Sequence, residues 1–460
     1  DVELKNWPWP SVEEGMPPET AVLVAPDPTS IAPPPTSEME NWTTWARSAR
    51  LRGVTPKNLP DLPHIEDGNT LDELLAALEI TIVCHGLTEP APSTFSSPVV
   101  LPRAPAGRTT KVALESAWGF LDLQQTHGRF GIAGLGFDPG ITALNITAIL
   151  GLAEHLERPL PAWANEGLDY IVSLQGTDGA IWETGLKVYT TSVAIEALIK
   201  ADRPQDRQVI ERARDFLIVA QADEGEGYSS EADPHYGGVG YGGDERPDLS
   251  NTQMALEAVA LTDVRTDHVF FEKALSFLER CQNNAETGTH QWPRDGGGWI
   301  QTGTDGGGTY MPGSSPAGEQ PVGEGLYEAR SYGSMTYALT KSYLLSGIDS
   351  TDPRVTAAIQ WLGTHFTVEH NPGFTQPGQG GDGLYYYYMA MAKTLALIPN
   401  KRFTTPEGEV IPWQLTLGRH LVDEQRTDGS WINEQSARWW EGNPSLATGY
   451  AILALLETEP

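Results

Sequence analysis

The chain has 460 residues, enough for a large core, and carries 61 acidic against 30 basic side chains, a formal net charge of -31. So acidic a composition excludes nucleic acid as a partner and argues against anionic lipid, because no basic surface remains to neutralise phosphates. Two cysteines rule out a disulfide framework or a cysteine-rich zinc site. No apolar run reaches the roughly 18 residues a membrane helix needs, and the best one, Leu144 to Leu152, is broken by Asn145 and Gly151. The acidic, lysine-poor composition and the Trp- and Pro-rich start at Asp1 lead us to expect a secreted or periplasmic protein whose signal peptide has been removed.

Residues 1 to 105 are punctuated by proline, from Pro8, Pro10, Pro17 and Pro18 through Pro33-Pro34-Pro35 to Pro98, Pro102 and Pro105. Proline fixes φ and removes a donor, so this stretch is expected to be an extended arm. One helix interrupts it, capped near Asn69 or Thr70, with Leu71, Leu74, Leu75, Leu78 and Ile82 at helical spacing. Trp42, Trp45, Leu51 and Val54 suit an arm that packs along the larger domain, and a protein partner is expected to dock through it.

From residue 106 to 460 the sequence repeats itself. Each unit has an amphipathic helix ending in Gln, a Gly-rich acidic turn, a variable loop and a second, apolar helix opening at Thr. One copy reads Gln175-Gly-Thr-Asp178-Gly179-Ala-Ile-Trp182, followed by Thr190-Thr191; another reads Gln425-Arg-Thr-Asp428-Gly429-Ser-Trp431, followed by Thr448. Looser copies start at Gln125, Gln221 and Gln282, with second helices near Thr142, Thr252 and Thr336, and a degenerate sixth unit fits between Ala357 and Leu397. The first helices carry one stripe (Ala274, Phe277, Leu278, Cys281), whereas the second helices are apolar nearly all round, as inner helices are. The fold expected is all-α: a closed α/α toroid of about six helical hairpins.

The Gln-x-x-Asp-Gly turn and the Thr-opened apolar helix resemble the repeat of terpene cyclases and protein prenyltransferase β subunits over roughly residues 110 to 458. The segments Ser331–Tyr337, Asn371–Gly373, Gly383–Tyr388 and Arg438–Glu441 are similar to bacterial prenyltransferase/squalene oxidase repeat proteins of the planctomycete type. The resemblance implies a cavity for an isoprenoid and points to the helix start Asp248-Leu249-Ser250-Asn251-Thr252. Prenyltransferases carry Asp-x-Cys-Tyr there, with zinc on the Asp and Cys; triterpene cyclases carry Asp-x-Asp-Asp-Thr, with the middle Asp protonating the substrate. Here Asp248 keeps the first place and Ser250 stands at the decisive one. Serine is a poor zinc ligand and cannot protonate an alkene, so neither chemistry is expected.

A site is therefore sought among other polar clusters. We expect Glu328 as acid or base with Asp248 and Tyr332, and Arg330, Tyr337, Tyr385, Trp439, Trp440 and Glu441 around the ligand, in one pocket where the inner helices begin. No cofactor or resident metal is expected; the Gly-rich acidic loops at Asp223-Glu224, Asp295 and Asp305 offer oxygens for calcium but lack EF-hand spacing. Three functions stay open: binding or isomerisation of an apolar or amphipathic isoprenoid-type ligand, a secreted polysaccharide lyase or glycoside hydrolase acting on a carbohydrate, and a non-catalytic scaffold subunit of a larger complex.

Overall fold

The computed structural model describes residues 101–459 except 133, 134, 184, 232, 243–245, 400 and 401. The expected arm of residues 1 to 105, its helix and its docking role therefore lie, apart from residues 101–105, outside the described residues.

Twelve helices are present among the described residues: α1 (Thr110–Gln124), α2 (Pro139–His155), α3 (Ala162–Ser173), α4 (Lys187–Ala201), α5 (Arg207–Val219), α6 (Leu249–Ala260), α7 (Val269–Cys281), α8 (Gly333–Leu345), α9 (Pro353–Thr364), α10 (Leu384–Leu397), α11 (Trp413–Glu424) and α12 (Pro444–Thr458). Odd-numbered helices bury a single stripe, as α7 does with Phe270, Phe271, Ala274, Phe277, Leu278 and Cys281. Even-numbered helices are enclosed on nearly every side: α2 buries each residue from Pro139 to Ile149, and α12 each residue from Ser445 to Leu455. The apolar character that encircles these helices demands this placement. α4 packs on α2 and α6, α8 on α6 and α10, and α12 on α10 and α2. Ala194, Ile195, Ala451 and Ile452 are fully buried, as the repeat pattern implies. The degenerate sixth unit is the pair α9 and α10.

The two repeated polar residues have distinct structural duties. In four copies the Gln after an odd helix donates through Nε2 to the carbonyl of its own turn and to a carbonyl in the next odd helix. Gln175 thus reaches Gly179 (3.0 Å) and Val209 (2.8 Å) of α5, Gln221 reaches Gly237 and Phe270 of α7, and Gln282 reaches Gly306 and Arg354 of α9. Gln425 repeats the arrangement between Gly429 (2.8 Å) and Ala113 (2.9 Å) of α1. In every even helix but α10 a threonine accepts from the loop that precedes the helix: Thr142 from Phe130 N, Thr191 from Ile181 N, Thr252 from Val239 N, Thr336 from Gly308 N and Thr448 from Trp431 N, all at 2.9–3.0 Å. These threonines lie inside the first turns rather than at the caps, because each helix begins three or four residues earlier. Asp138, Asp248 and Asn443 supply the side-chain caps.

The expectation of an all-helical domain needs correction between α7 and α8. There the chain forms β3 (Gln291–Pro293), β4 (Trp299–Gln301), β5 (Glu319–Gly323) and β6 (Leu326–Ala329), a four-stranded sheet in the order β3-β4-β6-β5 with β4 and β6 parallel. A smaller hairpin, β1 (Gly131–Ile132) and β2 (Gly136–Phe137), precedes α2. The glycines that read as loop are turns between these strands; Gly296, Gly297 and Gly298 all have positive φ.

Replacing Gln425 by Leu removes both bonds and leaves the buried Gly429 carbonyl without its side-chain donor, and is expected to cost about 1–3 kcal/mol in urea unfolding. Gln125→Leu, at the half-exposed first copy, is expected to cost clearly less; its side-chain nitrogen bonds only Asp122 O, at 3.4 Å.

Candidate functional site

Loops carry the chain to the first turns of α4, α6, α8 and α10, and each of these ends is tied to a later unit. Val188 N donates to Tyr241 O (3.0 Å), Leu249 N to Tyr310 O (2.8 Å), and Gly333 N to Pro372 O (2.8 Å). Tyr385 N and Tyr386 N donate to the Glu441 carboxylate at 3.1 and 2.7 Å. The amide groups of a helix N-terminus, which attract anions, are thus used by the protein itself. What remains at these ends is side chains, and most of them are phenols.

Tyr189 and Tyr450 share a hydroxyl hydrogen bond of 2.6 Å, and Tyr241 and Tyr310 share one of 2.9 Å. The Tyr386 ring meets Tyr450 edge to face at 6.1 Å, while its hydroxyl is buried and has no hydrogen-bond partner. Tyr332, 2% exposed, packs edge to face on Phe374 at 5.3 Å. Burial first, and then neighbouring groups that include the Asp248 carboxylate, push the phenols of Tyr241, Tyr310, Tyr332 and Tyr386 up. All four are neutral donors at neutral pH. Asp248 is the α6 cap: its carboxylate accepts from Ser250 Oγ (2.6 Å), Asn251 N (2.9 Å) and Asn251 Nδ2 (2.8 Å). Burial raises its pKa against these three donors.

Seven residues beyond Tyr189 and Tyr386 on their helices stand Glu196 and Lys393, two turns or about 10 Å deeper on the same stripes. Lys393 Nζ bonds Glu196 (2.5 Å) and Glu257 (3.2 Å), and Lys341 Nζ bonds Glu257 (2.5 Å). Burial opposes the charge of Glu257, but the two ammonium groups win and hold it down to about 2. This buried quartet, drawn from α4, α6, α8 and α10, was missed in the sequence. Its signal was there: isolated charges in helices otherwise apolar all round.

The expected site residues do not all gather here. Asp248 and Tyr332 belong to the phenol cluster. Glu328 lies on β6, half-buried, accepting from Gln301 Nε2 (3.2 Å) and Gln320 Nε2 (3.5 Å), and Arg330 follows the strand with its backbone N on Gly318 O. They depart from the expected position at an α8 start because residues 319–329 pair as strands instead of running as a loop. Tyr337 is wedged in the core between α8 and α10, its ring 5.7 Å from Tyr387. Tyr385, one residue from Tyr386 and so rotated about 100° around the helix, faces α11 rather than the phenol cluster. Glu441 is fully buried as the cap of α10 and also accepts from Asn433 Nδ2 (2.7 Å). Trp439 and Trp440 hold left-handed backbone (φ +54° and +67°), a strained conformation for bulky residues. The Trp439 ring lies against Gly383, where a Cβ would come within 2.8 Å of it. Arg438 stacks on that ring at 4.7 Å and pairs with Asp382.

Two of the acidic loops considered for calcium spend their oxygens on the protein. Asp223 and Glu224 pair with Lys273, and Asp305 accepts from Ser331 Oγ and Gly307 N. Among the described residues no group of three His, Cys, Asp or Glu converges as metal ligands would.

Burial pushes the Glu441 carboxyl up to about 7 against its backbone and Asn433 donors. A raised acid stabilises the fold most when protonated, so its contribution is complete below the ordinary value of 4.5 and is lost as pH rises through about 7. Unfolding free energies from urea titration are therefore expected to decline over that window, by on the order of 3 kcal/mol, while Glu441→Gln is less stable at low pH but flat.

No family model and no curated protein matches the chain. Among solved structures, a protein from Actinoplanes aligns at 15% identity with a TM-score of 0.43, covering 76% of this chain and 99% of its own. Type II terpene cyclase MstE from Scytonema, in its apo form, aligns at 12% identity with a TM-score of 0.42, covering 75% and 97%. A variant of that cyclase in complex with geranylgeranyl dihydroxybenzoate aligns at 12% with a TM-score of 0.41, covering 76% and 97%.

Proposed function

We propose that the six hairpins close into a double α/α ring and that the phenol cluster at its centre binds an apolar or amphipathic ligand of isoprenoid type through an oxygen function. Closure is supported by α12 packing on α2, by Asn145 Nδ2 donating to Ser445 O, and by the bonds from Gln425 to Ala113 O and from Asn443 Nδ2 to Gly131 O. One observation carries the ligand reading: the buried Tyr386 hydroxyl without a partner, set among Tyr189, Tyr241, Tyr332 and Tyr450. A buried donor left unpaired costs about 1–3 kcal/mol, which a ligand oxygen recovers. The surrounding rings supply apolar area for a hydrocarbon chain, and the deeper Glu–Lys quartet favours a ligand with a second polar end.

Binding, rather than cyclisation, follows from Asp248 and Ser250. Protonating an alkene requires an acid with a free proton aimed at the carbon. Asp248 accepts three hydrogen bonds and points into its own helix end, and Ser250 donates to it.

Calorimetric titration with farnesol and geranylgeraniol, and with the same chains lacking the hydroxyl, tests this. The alcohols are expected to bind about tenfold tighter than the hydrocarbons, and Tyr386→Phe to erase that preference. Alcohol and hydrocarbon binding equally to the wild type would contradict the reading, as would cyclised product that disappears with Asp248→Asn.

A further inference from the structure

A pocket of about 220 Å³ lies off the phenol cluster, between the first turn of α10, the last turns of α11 and the loop at 432–435. We propose that it binds a small organic cation, a primary ammonium or guanidinium group, at Tyr385, Glu369, Glu424 and Glu434. The inference is independent of the ligand proposed for the phenol cluster.

Tyr385 provides the first observation. It is 4% exposed and lines this pocket, and among the described residues its hydroxyl makes no hydrogen bond. After burial, the groups that push its phenol up are Glu424, Glu441 and Glu434, with Arg103 opposing. The unpaired hydroxyl therefore sits in a negative field. An oxygen lone pair there accepts from a cationic N–H, and the field favours that donor over a neutral one.

The charge arrangement points the same way. Glu424 is joined by Arg103 at 2.5 Å, whereas the exposed carboxylates of Glu369 and Glu434 pair with no cation among the described residues. Arg426 also lines the pocket, so three carboxylates face two guanidinium groups. His420 does not restore the balance, because burial depresses its pKa and leaves it neutral near pH 7. Its Nε2 lies 2.9 Å from Tyr388 Oη, which donates to Val368 O at 2.7 Å. Crowded like charges relax when a cation enters.

The donor set fits an organic cation better than a metal ion. A metal draws its ligands to one point, and no three carboxylate or imidazole groups meet at such a point among the described residues. An ammonium or guanidinium group needs separate acceptors and tolerates an aromatic wall. Tyr385 and Tyr388, edge to face at 5.6 Å, provide that wall. The rim is built in advance: Asn433 Nδ2 holds the loop to Gly381 O at 2.7 Å and to Glu441 at 2.7 Å.

The test is calorimetric titration of the whole chain at low salt with putrescine, benzamidine and acetyl-arginine amide; acetate, glycerol and calcium serve as comparisons. The cations are expected to bind with one-to-one stoichiometry and to weaken as salt rises. Binding is expected to drop at least tenfold in Glu369→Gln/Glu434→Gln, whose sites are exposed and leave the fold intact, and severalfold in Tyr385→Phe. Unchanged farnesol binding by the double variant separates this site from the phenol cluster. Preference of the arginine amide over putrescine identifies a peptide side chain as the natural source; the reverse identifies a free amine. Cation binding that survives the double substitution reflects only the general acidity of the surface and overturns the proposal. So does calcium binding more tightly than every organic cation.

Discussion

A glutamine side chain that donates to two carbonyls at once holds successive hairpins of this protein together. Gln175, Gln221, Gln282 and Gln425 each fasten their own acidic turn and the next odd-numbered helix with one amide nitrogen. Buried carbonyls left without donors are costly, so the amide fixes both the turn and the neighbour's position. Because the repeat uses the same bond each time, the rotation from one hairpin to the next is set locally. In the last copy the partner is Ala113, at the other end of the domain. Everything at the inner helix ends depends on that register.

The threonines complete the device by fastening the returning loop to the first turn of every even helix but α10. Together the two contacts bring the ends of α4, α6, α8 and α10 close enough for later loops to take up their amide groups. This explains why tyrosine hydroxyls, and not bare helix N-termini, gather at these helix ends, and why Glu441, expected as a ligand contact, caps α10. It also separates Tyr385 from Tyr386. One residue of helix advance turns their rings to different surroundings, so the run from Tyr385 to Tyr388 serves the phenol cluster, the core and the α11 side together.

The repeat made the helices legible in the sequence, and the two apolar patterns distinguished stripe helices from encircled ones. The duties of the Gln and Thr were visible only as recurrence, since the Gln bonds to the next odd helix run to residues 34 to 312 positions away and the Thr bonds to residues 10 to 28 away. The site was read less well. Asp248 and Tyr332, singled out through the resemblance, stand at the α6 and α8 starts beside the phenols. Glu328 and Arg330 were misplaced because glycine-rich sequence conceals short strands whose pairing is set by tertiary contacts. The buried Glu–Lys quartet was overlooked because an isolated Glu or Lys in an apolar helix has no local partner; Glu196 and Lys393 are far apart in sequence and meet only once the even-numbered helices assemble.

The central claim is that six inner helices form one closed layer with no free end. Hydrogen–deuterium exchange of the whole chain, resolved by peptide, measures this directly. A closed layer predicts that α2 and α12 exchange as slowly as α4, α6, α8 and α10, in a single cooperative unit. An open superhelix, in which α2 and α12 lose protection well before the four helices between them, would contradict the account.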